Sequence, residues 1–175
     1  MDASEAILER WIERTAESYP RHAAALLIKE QDPFRNPVGD TLRRSLSRLL
    51  RELFGEMDAT AIASALDPII RLQVVQGFAP DDAVRFVSLL KPILQELAPE
   101  RNSAVLDGRI DDGRIDRLAV MAVDKYTQCR EQLARIRANE VRRANQVQQR
   151  IRARRPAWRP LPRCWPFSRS LRSPS

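Results

Sequence analysis

Apolar side chains recur every three or four positions along most of this chain, and that spacing predicts helices rather than strands. Ile7, Leu8, Trp11, Ile12 and Thr15 share one face of a first helix, with Asp2 or Ser4 placed to cap it. Pro20 opens a short second helix, rich in alanine and leucine, ending near Glu30. Residues 31–39 hold two prolines and a glycine, which interrupt any regular backbone ladder. Leu42, Leu46, Leu49, Leu50 and Leu53 then repeat at helical spacing as far as Phe54, where Gly55 closes the helix. Asp58 caps the next, whose Ala59, Ile62, Leu66, Ile69, Ile70 and Val74 face inward. Pro68 inside this run predicts two helices or a kink. Gly77 suits the position after a helix end, and Pro80 suits a first turn whose N–H has no partner anyway. Val84, Val87, Leu90, Ile93 and Leu94 mark the helix that follows, with a kink expected at Pro92.

Residues 99–113 read as a polar loop. From Arg114 the stripe is continuous through Ile115, Leu118, Ala122, Tyr126, Cys129, Leu133, Ile136, Glu140, Ala144, Val147 and Ile151, with no proline before Pro156. A helix of roughly 40 residues spans about 60 Å, more than a domain of this size covers. Its later half must project, pair with another helix, or fray. The expected fold is therefore all-α, a globin-like or helical-bundle domain of five to seven helices with a long C-terminal helix. The helical domain is assigned to residues 1–151. Residues 152–175, rich in arginine and proline with little apolar periodicity, are assigned to a disordered tail.

Length and charge sharpen this picture. A chain of 175 residues accommodates one domain with a real core plus an appendage. The formal charge of +7 is unevenly placed: residues 1–134 carry 18 basic and 22 acidic side chains, whereas residues 135–175 carry 12 arginines and one glutamate. The helical region is thus mildly acidic, and nucleic-acid binding by the whole domain is not implied. Cys129 and Cys164 form no framework, and no Cys/His spacing offers zinc ligands. The acidic, amphipathic N-terminus is unlike a secretory signal, and no apolar run is long enough to span a membrane, so the cytoplasm is the expected compartment.

Chemistry-bearing constellations are sparse. His22, the only histidine, lies in the first turns of the second helix, not late in the chain where a globin holds its haem. It has no partners that would make a Ser–His–Asp triad. Asp81–Asp82 fit helix capping, and Asp111–Asp112 lack the spacing of a calcium loop. No metal, cofactor or catalytic residue is assigned. Asp32, Phe34, Asn36, Pro37 and Gly39 are expected to shape the turn between the second and third helices, Asn36 as a cap and Phe34 packed beneath the loop. Arg71, Gln73, Gln76, Lys91, Tyr126 and Arg130 interrupt apolar faces and form the candidate ligand-binding set. An inward cation needs an acid or an anionic ligand. Two readings follow: an internal pair, with Asp67 or Asp124 for example, or a pocket for a small acidic ligand shared by Arg71 and Lys91.

Three stretches carry a resemblance: Asp32–Leu53 (DPFRNPVGDTLRRSLSRLLREL), Arg71–Lys91 (RLQVVQGFAPDDAVRFVSLLK) and Ile115–Arg143 (IDRLAVMAVDKYTQCREQLARIRANEVRR). Together they resemble the RsbRD N-terminal domain family of RsbT co-antagonist proteins over roughly residues 5–145. The resemblance implies an all-helical sensory or regulatory module, related to non-haem globin-like stressosome sensors, that dimerises and signals through its C-terminal helix to a STAS domain. After Arg143 there is no room for a STAS domain of about 100 residues, so a stand-alone member is expected. Stand-alone versions in anaerobic, sulfur-metabolising bacteria suggest a place near a redox complex by association alone.

The favoured reading is a non-enzymatic sensory or regulatory module acting through a homodimer and an unknown protein partner. Leu133, Ile136 and Val147 on the long helix form the dimer seam. The alternative is a scaffold whose Arg-rich tail, with Trp158 and Trp165, docks onto acidic partners, RNA or anionic lipid.

Overall fold

The computed structural model of the chain describes residues 3–30, 32–97 and 110–154. Among these residues there are seven α-helices and no strand. They are α1 (Ala3–Ala16), α2 (Arg21–Lys29), α3 (Pro37–Phe54), α4 (Ala59–Gln76), α5 (Pro80–Ser88), α6 (Leu90–Leu97) and α7 (Asp112–Arg154). The chain divides into two units, Met1–Ile136 and Arg137–Ser175. The expected tail boundary falls within α7, which continues through Arg152 to Arg154; residues 155–175 lie outside the described residues.

In the first unit α3 and α4 form the most extensive helix pair, and α1 packs on α2, α3, α5 and α6. One core joins Ile7, Trp11 and Ile12 of α1 to the leucines of α3, the isoleucines of α4, Phe86 and Val87 of α5, and Ile115, Leu118, Ala122, Tyr126 and Cys129 of α7. A smaller cluster of Ala16, Tyr19 and Leu27 sits beside it, with Val38 and Phe78 packed against it. Trp11 anchors the centre: its ring stacks on Phe86 at 6.2 Å, and its Nε1 donates to the Phe86 carbonyl at 2.6 Å. That carbonyl lies in the last turn of α5, where helical acceptors lose their intrahelical donors.

Caps explain most boundaries. Asp58 accepts from the N–H groups of Thr60 and Ala61 to start α4, and Gly77, at φ 81°, ends it in the left-handed conformation. Pro68 neither breaks nor divides α4, which is a single helix of 18 residues. Conversely, the stretch after Pro80 is two helices, not one kinked helix. The chain breaks at Leu89, which places Pro92 in the first turns of α6 where a missing N–H costs little. Helix α1 begins at Ala3, so Ser4 lies inside it and does not cap it, while Asp2 is outside the described residues. Ala59 is exposed instead of facing the core. Asp112 and Gly113, expected in a loop, form the first turn of α7, and the Asp111 carboxylate accepts from the Arg114 N–H at 2.7 Å. The remainder of the expected polar loop, through residue 109, lies outside the described residues.

Candidate functional site

The turn between α2 and α3 is organised by one buried side chain, Asn36. Its Oδ1 accepts from the Gly39 N–H at 2.8 Å, capping α3, while its Nδ2 donates to the carbonyls of Glu30 at 2.8 Å, Leu26 at 3.0 Å and Leu27 at 3.3 Å. Asn36 thus satisfies the C-terminal end of α2 and the N-terminal end of α3 together. Pro37 occupies the first turn of α3. A Cβ at Gly39 would collide with the Asn36 amide, so the glycine is required by the cap. Asp32 accepts from the Phe34 N–H at 2.9 Å, and its own carbonyl accepts from Arg35 and Asn36. Phe34, expected beneath the loop, instead stands 96% exposed at the tip of this turn.

The six polar residues of the candidate ligand set do not share one pocket. Gln73 and Tyr126 are buried as expected, whereas Arg71, Gln76 and Arg130 are exposed and Lys91 is half-buried. Tyr126 donates its hydroxyl to the Phe78 carbonyl at 2.9 Å, fastening α7 to the link between α4 and α5, and the Arg130 guanidinium lies over the Tyr126 ring at 5.9 Å. Phe78 also packs on Tyr19 at 5.4 Å. Burial pushes the Tyr19 phenol up, and the neighbouring Gln73 amide partly offsets this. Gln73 is 1% exposed, and its Oε1 has no hydrogen-bond partner.

The two cations separate onto different carboxylates. Arg71 pairs with Asp67 one turn earlier, at 3.1 Å, and Lys125 of α7 reaches the same carboxylate at 2.7 Å. Hydrogen bonding by Arg71, followed by Lys125, holds the Asp67 carboxyl below the usual range against the opposing effect of its partial burial. Lys91 pairs with Asp116 at 2.8 Å and with Asp112 at 3.8 Å, and hydrogen bonding by Asp116 raises its ammonium pKa. Each cation already has its acid, so the electrostatic motive for an anionic ligand shared by Arg71 and Lys91 is absent. The pairs instead tie α7 to α4 and α6. A third tie is Arg114, whose Nη1 donates to the carbonyls of Leu53 at 2.8 Å and Gly55 at 2.6 Å, closing the end of α3.

Within the first unit, the first part of α7 joins the core through Ile115, Leu118, Ala122, Tyr126 and Cys129. Beside it runs a groove of about 150 Å³ lined by Arg71, Val74, Val75, Cys129, Gln132, Leu133 and Ile136. Val75 is 63% and Ile136 49% exposed, and Leu133 is half-buried. A wider cleft of about 600 Å³ between α1 and α3, lined by Leu8, Leu50, Phe54, Glu5 and Arg51 among others, contains none of the predicted residues. No group of three or more His, Cys, Asp or Glu able to hold a metal occurs among the described residues. No described helix is long and apolar enough to cross a membrane.

The family profile of the RsbT co-antagonist protein rsbRD N-terminal domain matches residues 5–141. The chain belongs to this RsbRD N-terminal domain family, whose role is regulatory signalling in the stressosome context. No curated protein and no solved structure gives a significant match.

Proposed function

We propose that this protein is a non-enzymatic sensory or regulatory module that works as a homodimer, with α7 as both the dimer seam and the element read by a protein partner in the cytoplasm. The observation that carries this reading is the unpartnered apolar strip of α7. Leu133 and Ile136 border the groove in the first unit, and Val147 and Ile151 are exposed in the second. Five steps between Leu133 and Ile151 average 3.6 residues, the period of a straight α-helix, so the strip stays on one side.

Magnitudes favour a weak dimer. Completing the burial of four half-exposed aliphatic residues per copy contributes about 0.5–1.5 kcal/mol each, roughly 4–12 kcal/mol for two copies. Association costs on the order of 4–15 kcal/mol, so even the most favourable balance, about 8 kcal/mol, gives a dimer no tighter than micromolar. Glu140 on the strip and the arginines flanking it weaken the pairing further. The side-chain ties at Lys91, Arg114, Lys125 and Tyr126 give a signal in the first unit a route to α7.

The test is the double substitution Ile136→Asp/Val147→Asp. The variant should elute as a folded monomer with undiminished helicity at concentrations where the parent chain is dimeric. A variant that keeps the parent's mass by light scattering would exclude this seam.

A further inference from the structure

The second unit has a feature that dimerisation does not use. Between residues 137 and 154 the sequence holds six arginines, one glutamate and no lysine, a net charge of +5. The side chains of Arg137, Arg142, Arg143, Arg150 and Arg152 are all exposed on α7. Among the described residues, none of these five forms an ion pair; the last pair along α7 is Arg135 with Glu131. At about 100° per residue, Arg152, Arg142, Arg150 and Arg143 spread over roughly half the helix circumference, and Arg137 flanks the far side. Val147, Glu140, Ile151 and Ala144 fill the gap, which is the seam already described. The outer face is therefore an uncompensated guanidinium array carrying Asn139, Asn145, Gln146 and Gln149 among its neighbours.

From this arrangement we infer that the helical segment 137–154 binds the phosphate backbone of nucleic acid. Guanidinium groups pair bidentately with phosphate, and their exclusive use here in place of lysine favours that geometry. An array covering half a cylinder suits a helix lying in a groove between two phosphate ridges better than a flat acidic protein face. A membrane surface fits less well: residues 137–153 offer only valine, isoleucine and alanine as apolar groups, with no Trp, Phe or Leu to insert. The segment is about 27 Å long, comparable to the phosphates of roughly eight base pairs. The inference stands independently of the dimer reading, because it uses the opposite face of the helix.

The test uses the full chain and a short fluorescent DNA duplex, followed by anisotropy at increasing salt. Neutralising about four phosphates gives a log–log slope near −3.6, so affinity should fall on the order of 100-fold between about 50 and 200 mM salt. Substituting Arg142, Arg143, Arg150 and Arg152 with Gln together should weaken binding at least tenfold and flatten the slope by about 3. The same four positions changed to Lys should retain the slope, which separates lost charge from lost helix. Replacing Arg159, Arg163, Arg169 and Arg172 with Gln should leave most of the slope in place. The inference is overturned if the parent chain does not bind at about 50 mM salt, or if the Arg→Gln helix variant binds like the parent. It is overturned equally if the parent prefers phosphatidylserine vesicles to the duplex.

Discussion

Replacing Asn36 probes the junction on which the helical order of the first unit depends. In Asn36→Ala, α3 loses its cap acceptor, which costs about 0.5–2 kcal/mol. The Leu27 and Glu30 carbonyls also lose the buried Nδ2 donor, at about 0.5–1.5 kcal/mol each, while the Leu26 carbonyl keeps the Glu30 N–H at 3.1 Å. The total is about 1.5–5 kcal/mol, a large share of the stability of a domain this size. It should appear in urea unfolding, followed by far-ultraviolet circular dichroism, as a lower midpoint at unchanged slope. Asn36→Asp separates the two roles. Aspartate retains the acceptor for Gly39, so a residue that only capped α3 would tolerate the change. Here the carboxylate would face three carbonyl oxygens, which raises its folded pKa above the ordinary value near 3.9. The destabilisation should therefore be largest above that folded pKa and shrink as pH falls through it, when the acid can donate. An Asn36→Asp variant as stable as the parent at neutral pH would refute the two-ended role of this side chain.

Trp11→Phe should cost about 2–3 kcal/mol, because it leaves the Phe86 carbonyl without its Nε1 donor and opens space in the core; differential scanning calorimetry would register a correspondingly lower Tm. Asp67→Asn should cost at most about 1 kcal/mol at neutral pH, since its pairs with Arg71 and Lys125 are partly exposed. Because the folded pKa of Asp67 is depressed, its contribution is present above the ordinary carboxylate range and is lost as pH falls through the folded value. Parent and variant should therefore converge in stability in acid, as chemical denaturation at several pH values would show.

Local chemistry made much of this fold legible in the sequence. Asn36, Asp58, Gly77 and Pro80 each act within a few residues of themselves, so their capping roles follow from residue type and position. The break at Leu89 was hidden because Val84, Val87, Leu90 and Ile93 keep helical spacing across it. Of the two outcomes expected at Pro68, division into two helices does not occur: α4 is held on both sides of it by buried Leu66, Ile69 and Ile70, and packing outweighs one missing hydrogen bond. Arg71 follows buried Ile70 by one position, a rotation of about 100°, which takes it from the core to the surface and onto Asp67. The i, i+4 spacing of Asp67 and Arg71 already indicated that pair. Arg114 was missed because its acceptors lie 61 and 59 residues earlier, and no local pattern records such a contact. Phe34 reads as a core residue by type, yet the Asp32 turn that holds it leaves its ring outside.

Sedimentation equilibrium of the unmodified chain across the micromolar range, at about 50 and 200 mM salt, tests whether α7 pairs with a second copy of itself. A reversible monomer–dimer equilibrium is expected, tightening at the higher salt, where screening reduces repulsion between the arginines of the two α7 helices. A single monomer mass at every concentration and both salts would contradict it, leaving the apolar strip of α7 without a second copy to cover it.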